Sequence, residues 1–108
     1  MQEIIIQFQG FHPSEFTRSY LDSKLSELSA EAPHGSTLRA VFKRRDKVLS
    51  AQMRILSHTG MFFVSANGTH LREVTHKLSE RARRQFRRWK DIRTRNKGGG
   101  SSDDPSVA

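Results

Sequence analysis

The chain has 108 residues, 34% of them hydrophobic, no cysteine, and a formal charge of +8. That length suits one domain with its own apolar core, and the lack of cysteine excludes disulfides, thiolate metal sites and cysteine nucleophiles while fitting a reducing compartment. The opening MQEIIIQFQG lacks the basic-then-apolar order of a signal peptide, and no apolar run approaches the ~20 residues of a membrane helix, so a soluble cytoplasmic protein is expected.

Residues 3–9, EIIIQFQ, are rich in β-branched side chains and predict a mostly buried strand. Gly10 and Pro13 end it, and Ser14 can cap the helix that follows. From Phe16 to Leu28, apolar residues fall at 16, 20, 21, 25 and 28, the stripe of an amphipathic helix, and AEAPHGS (30–36) stops it through Pro33 and Gly35. Three strands come next. In TLRAVFKR, Leu38, Ala40 and Phe42 share a face, and RRDK (44–47) reads as a polar turn. In VLSAQMRIL, Leu49, Ala51, Met53 and Ile55 face inward, with Ser50, Gln52 and Arg54 outward. SHTG (57–60) is a second turn. MFFVSAN (61–67) then places Phe62, Val64 and Ala66 inward and Met61 and Phe63 on the opposite face, where Phe63 is either half-buried or free to stack on a base.

Thr69 is the expected cap of the last helix, about His70 to Arg95. Its Leu71, Val74, Leu78, Ala82, Phe86 and Trp89 recur every three or four residues, so Phe86 and Trp89 are expected in the core. Residues 97–108 hold too little apolar content to fold and read as a disordered Gly/Ser/Asp tail, which leaves 1–96 as a single domain. The predicted order is β-α-β-β-β-α. The first helix makes strands one and two parallel neighbours, and the short turns make the others antiparallel. Each helix has one apolar stripe, so both pack on one face of a four-stranded mixed sheet, an α+β fold.

The charge is concentrated. Residues 1–69 carry 8 basic and 6 acidic side chains, whereas 70–97 carry 11 and 3. At ~100° per residue, Lys77, Arg81, Arg84, Arg88 and Arg95 share a sector of about 60° on the last helix. Arg83, Arg87 and Lys90 flank the other border of the apolar stripe, and Glu73, Glu80 and Asp91 lie between the rows. Neighbours in the first row repel by a few tenths of a kcal/mol per pair, a cost that makes sense if a partner supplies negative charge. A solvated face and a targeting tag are the blander readings, and a membrane-surface helix would need its apolar face free. Nucleic acid fits best, because arginine outnumbers lysine here and suits bidentate phosphate contacts. Structured RNA, read by shape and backbone, suits a broad basic surface without a base-reading motif. Lys43, Arg44, Arg45 and Lys47 offer a second contact.

Catalysis finds little support. The five histidines show no ligand spacing with carboxylates, no acid–base pair stands out, and no glycine loop cradles phosphate. No enzyme activity, metal, cofactor or small-molecule substrate is expected.

The last helix, RARRQFRRWK, resembles the basic final helix of the ribosome hibernation promoting factor and protein Y group, also called sigma-54 modulation or ribosome-associated inhibitor proteins. Arg81, Arg84, Gln85, Arg87, Arg88 and Lys90 fall on that family's basic positions, and Phe86 on its core leucine. MFFVSANG is similar to the family's fourth strand at Phe62, Val64, Ala66 and Gly68, and SKLSEL fits its first helix at Lys24 and Leu25. The likeness spans residues 2–92, while His70–His76 departs from the family's usual acidic, tyrosine-containing segment. The resemblance implies a short-form member, monomeric when free, bound to the decoding region of the small ribosomal subunit and its rRNA. It would block mRNA and tRNA sites sterically during stress or stationary phase. The alternatives are a non-ribosomal RNA- or DNA-binding regulator and a module for an acidic protein partner.

Overall fold

The computed structural model describes the backbone of residues 3–99 and the side chains of residues 3–92. Its elements follow the predicted order: β1 (Glu3–Gln9), α1 (Glu15–Glu31), β2 (Thr37–Arg45), β3 (Val48–Ser57), β4 (Gly60–Gly68) and α2 (Leu71–Gly99). The sheet order is β1-β2-β3-β4, with β1 and β2 parallel and the other pairs antiparallel. This is the α+β sandwich expected from the sequence. No described helix is long and apolar enough to cross a membrane.

The register explains the core. Ile6, Ala40, Met53 and Val64 are successive cross-strand partners, as are Phe8, Phe42, Ala51 and Ala66. In the second row the small residues fall on β3 and β4, where α2 packs, so Ala51 and Ala66, with Ala82 of α2, let that helix approach closely. Leu21, Leu25 and Leu28 of α1 and Val74, Leu78 and Phe86 of α2 are all buried with them. Each such side chain contributes about 1.5–3 kcal/mol when removed from water.

Local chemistry sets the boundaries. Ser14 caps α1, its Oγ accepting from the Thr17 N–H at 3.2 Å, and Ala32 closes the other end by donating to the Ser29 carbonyl. Gly10 (φ 84°) is required where the chain leaves β1: a Cβ there would stand 2.4 Å from the Arg44 carbonyl oxygen. Both hairpins are tighter than predicted, with two-residue loops at Asp46–Lys47 and His58–Thr59. Asp46 adopts the left-handed conformation (φ 58°), which Asp tolerates better than most residues. Arg44 and Arg45 are therefore strand residues, not turn residues.

Four further expectations change. β1 is an edge strand, so Ile4, Ile6 and Phe8 are only half-buried and Ile5 faces away from the core. Phe16 is 75% exposed; it lies off the α1 seam that Leu21, Leu25 and Leu28 define. Trp89 is half-buried instead of fully enclosed, standing edge-on to Phe62 at 6.3 Å. The last helix continues past Arg95 to Gly99, with no proline in that stretch to break it. The tail expected over 97–108 thus overlaps that final turn and otherwise lies outside the described residues, as does the Arg95 side chain.

Candidate nucleic-acid interface

Beside its apolar seam, helix α2 is held in register by three side chains that reach the outer edge of β4. Lys77 Nζ donates to the Asn67 carbonyl at 2.9 Å, the Arg81 guanidinium to the Ser65 carbonyl, and Gln85 Nε2 to the Phe63 carbonyl at 2.9 Å. Those carbonyls point away from the sheet at alternate residues of an edge strand, where no further strand among the described residues satisfies them. Four residues of helix rise ~6 Å and two residues of strand ~6.7 Å, so an antiparallel helix meets the edge one side chain per carbonyl. Sequence reasoning placed Lys77 and Arg81 on the binding row. The structure gives both a structural duty, and that role needed the register to be seen.

Carboxylates neutralise part of each row. Glu73 holds Lys77 at 3.2 Å, and Glu31 of α1 accepts from Arg83 Nε at 2.9 Å, tying the two helices together. Glu73 also accepts from the Thr69 N–H at 3.1 Å. The bond to Thr69, and then Lys77, hold its carboxyl below the ordinary value. This overturns the expected cap: Thr69 is the donor, and the capping side chain is Glu73.

What remains is a set of free cations. Among the described residues, Arg84, Arg87, Arg88 and Lys90 make no ion pair or hydrogen bond, and all four are exposed. Arg84 and Arg88 wall a groove of about 380 Å³ with Arg81, Gln85, Phe63 and Ser65. Guanidinium groups beside a strand edge, with the helix fixed by its own polar ladder, form a rigid surface for anionic oxygens.

The basic hairpin is not part of this group. Leu49 pairs with Gly68 and Arg54 with Phe63, so the β2–β3 turn lies at the end of the sheet where α2 begins. The distance along the strands from that turn to the groove is roughly 20 Å. Lys43, Arg45 and Lys47 are exposed there, whereas Arg44 covers the Phe11 ring at 5.6 Å. At the opposite end, His34 and His58 border one depression with Trp89 and Lys90, a proximity with no sequence signal. Among the described residues, no three His, Asp or Glu side chains could hold a metal ion.

No protein-family model matches the sequence, and no curated protein matches it significantly. Solved structures do share the fold. The crystal structure of the Protein Y N-terminal domain from Thermus thermophilus superposes with a TM-score of 0.70 at 17% identity, covering 81% of this chain and 98% of that domain. A ribosomal subunit interface protein from Coxiella burnetii gives 0.70 at 16% identity, covering 84% of this chain and 99% of that one.

Proposed function

We propose that the protein is a ribosome-associated translation inhibitor, a divergent relative of the hibernation-factor group, acting in the cytoplasm without catalysis. The observation that carries this reading is the exposed set Arg84, Arg87, Arg88 and Lys90, unpaired among the described residues, on a helix pinned to a sheet edge. The fold shared with Protein Y and a ribosomal subunit interface protein supports it, as does the resemblance in the last helix.

In this reading α2 lies against rRNA phosphates of the small subunit at the decoding region, and the body of the domain occludes the mRNA and tRNA sites. Binding is electrostatic and steric, and the free protein is a monomer. Rigidity matters because the pinned helix backbone fixes where these side chains start, so less freedom is lost on binding than from a mobile segment.

Sucrose-gradient co-sedimentation tests the proposal. The purified chain should migrate with small subunits at low salt, and Arg84→Glu with Arg88→Glu should release it while leaving the thermal midpoint nearly unchanged. A protein that stays at the top of the gradient, yet binds free duplex tightly, is a nucleic-acid regulator acting away from ribosomes.

A further inference from the structure

The sheet face turned away from the helices has no covering element among the described residues, and the strand register sorts its side chains into transverse rows. Ile5, Arg39, Arg54 and Phe63 are successive cross-strand partners, so one row runs apolar, cationic, cationic, aromatic across all four strands. The next row is Gln7, Val41, Gln52 and Ser65. Directly opposed side chains stand ~4.5–5.5 Å apart at Cβ, and like charges placed so destabilise a sheet. Arg39 and Arg54 are nonetheless both exposed, and neither makes an ion pair among the described residues. Glu3, at a corner, is the one carboxylate among the strand residues of this face. A face selected only for solubility would intersperse the two signs.

The surroundings are equally selective. The two arginines line a shallow depression of about 200 Å³ with Gln7, Gln52, Ile5 and Val41. Phe63 is 42% exposed beside Arg54, and Met61 and Leu56 continue the apolar margin at 59% and 43%.

We infer that this open face is a platform for a single-stranded segment of nucleic acid. Phosphates settle at Arg39 and Arg54, a base stacks on Phe63, and base edges meet the amides of Gln7 and Gln52. A single strand offers anionic oxygens, flat π-faces and donor–acceptor edges together. A duplex keeps its base faces stacked inside, and an acidic peptide supplies the charge without the stacking surface. The platform adjoins the α2 groove, since Phe63 and Ser65 also line the space beside Arg84 and Arg88, and one strand can round the β4 edge between them. The inference stands apart from the ribosome reading, because it concerns other side chains and a minimal ligand.

The test is fluorescence anisotropy of the full chain with a labelled, non-self-complementary single-stranded RNA of about 12 nucleotides, within the usual site sizes for such platforms, over a salt series. Arg39→Gln with Arg54→Gln should weaken binding at least ~10-fold and reduce the slope of log K against log salt by about 1.4, at ~0.7 per phosphate released. Its thermal midpoint should hold or rise, because a repulsive pair is gone. Phe63→Leu should weaken binding several-fold with the slope unchanged, as stacking predicts. Wild-type affinity and slope in the double variant overturn the inference, whatever Arg84→Glu with Arg88→Glu does to co-sedimentation with ribosomes. Equal competition by a poly-glutamate peptide of the same length overturns it too.

Discussion

Glu73 stands where the start of α2 meets the end of β4, and its carboxylate has two distinct partners, the Thr69 N–H and the Lys77 ammonium. Because its folded pKa is lowered, its contribution to stability is complete above the ordinary carboxylate value and is lost as pH falls through the folded value. Thermal melts of wild type and Glu73→Gln should therefore differ most at neutral pH and converge as pH falls below the ordinary carboxylate value and through the lowered folded one. A gap that stays constant through that range would count against the linkage. Gly68 belongs to the same device, since an added Cβ would lie 2.5 Å from Glu73 Oε1. Gly68→Ala should push the carboxylate off Thr69 and lower the midpoint in the same direction. In the core, Phe86 is 2% exposed and meets Phe62 edge-on at 5.1 Å. Phe86→Ala should cost about 3–5 kcal/mol. Trp89→Ala should cost less, about 1–2 kcal/mol, because part of the indole stays in water in the native state. Denaturant titration of both variants separates the two residues.

The contact of α2 with β4 is the element that makes the site. An uncovered edge strand invites pairing with another chain, and here Lys77, Arg81 and Gln85 occupy the carbonyls that such a strand would use. Arg81→Ala and Gln85→Ala should each cost about 0.5–1.5 kcal/mol, the net worth of one hydrogen bond. The double variant should also self-associate at high concentration, which sedimentation velocity detects. A double variant that is destabilised yet strictly monomeric would reduce the ladder to a stability feature alone. Helix α1 offers the contrast. Its seam is Leu21, Leu25 and Leu28, and Phe16 stands outside it, so Phe16→Ser should change stability by no more than about 0.5 kcal/mol.

Across the molecule, cations collect at separate places: the β2–β3 turn, the groove beside α2, and the Arg39–Arg54 row. The first two lie roughly 20 Å apart along the sheet, beyond the range at which substitutions couple strongly. If the proposed ribosome binding uses both places, losses of affinity from Lys43→Gln, Arg45→Gln and Lys47→Gln at the turn should therefore add to those from Arg84→Gln and Arg88→Gln. A combined loss departing from the sum by more than about 0.5 kcal/mol would mean that one continuous contact spans both.

The sequence by itself determined the order of elements, the α+β class, the inward sets Leu38–Ala40–Phe42 and Leu49–Ala51–Met53–Ile55, and the segregation of positive charge onto the last helix. These are properties of local periodicity, which a strand or helix expresses wherever it sits. The tertiary structure alone decided which cations are free. Lys77 and Arg81 bind strand carbonyls, Arg83 binds Glu31 from 52 positions away, and Arg44 covers Phe11, leaving Arg84, Arg87, Arg88 and Lys90 exposed. It also decided that Arg39 and Arg54 stand side by side, because cross-strand neighbours are set by register, and register depends on where each turn closes. A helical wheel shows which residues leave the core. Only the packed neighbours determine whether a charge that leaves the core is already spoken for.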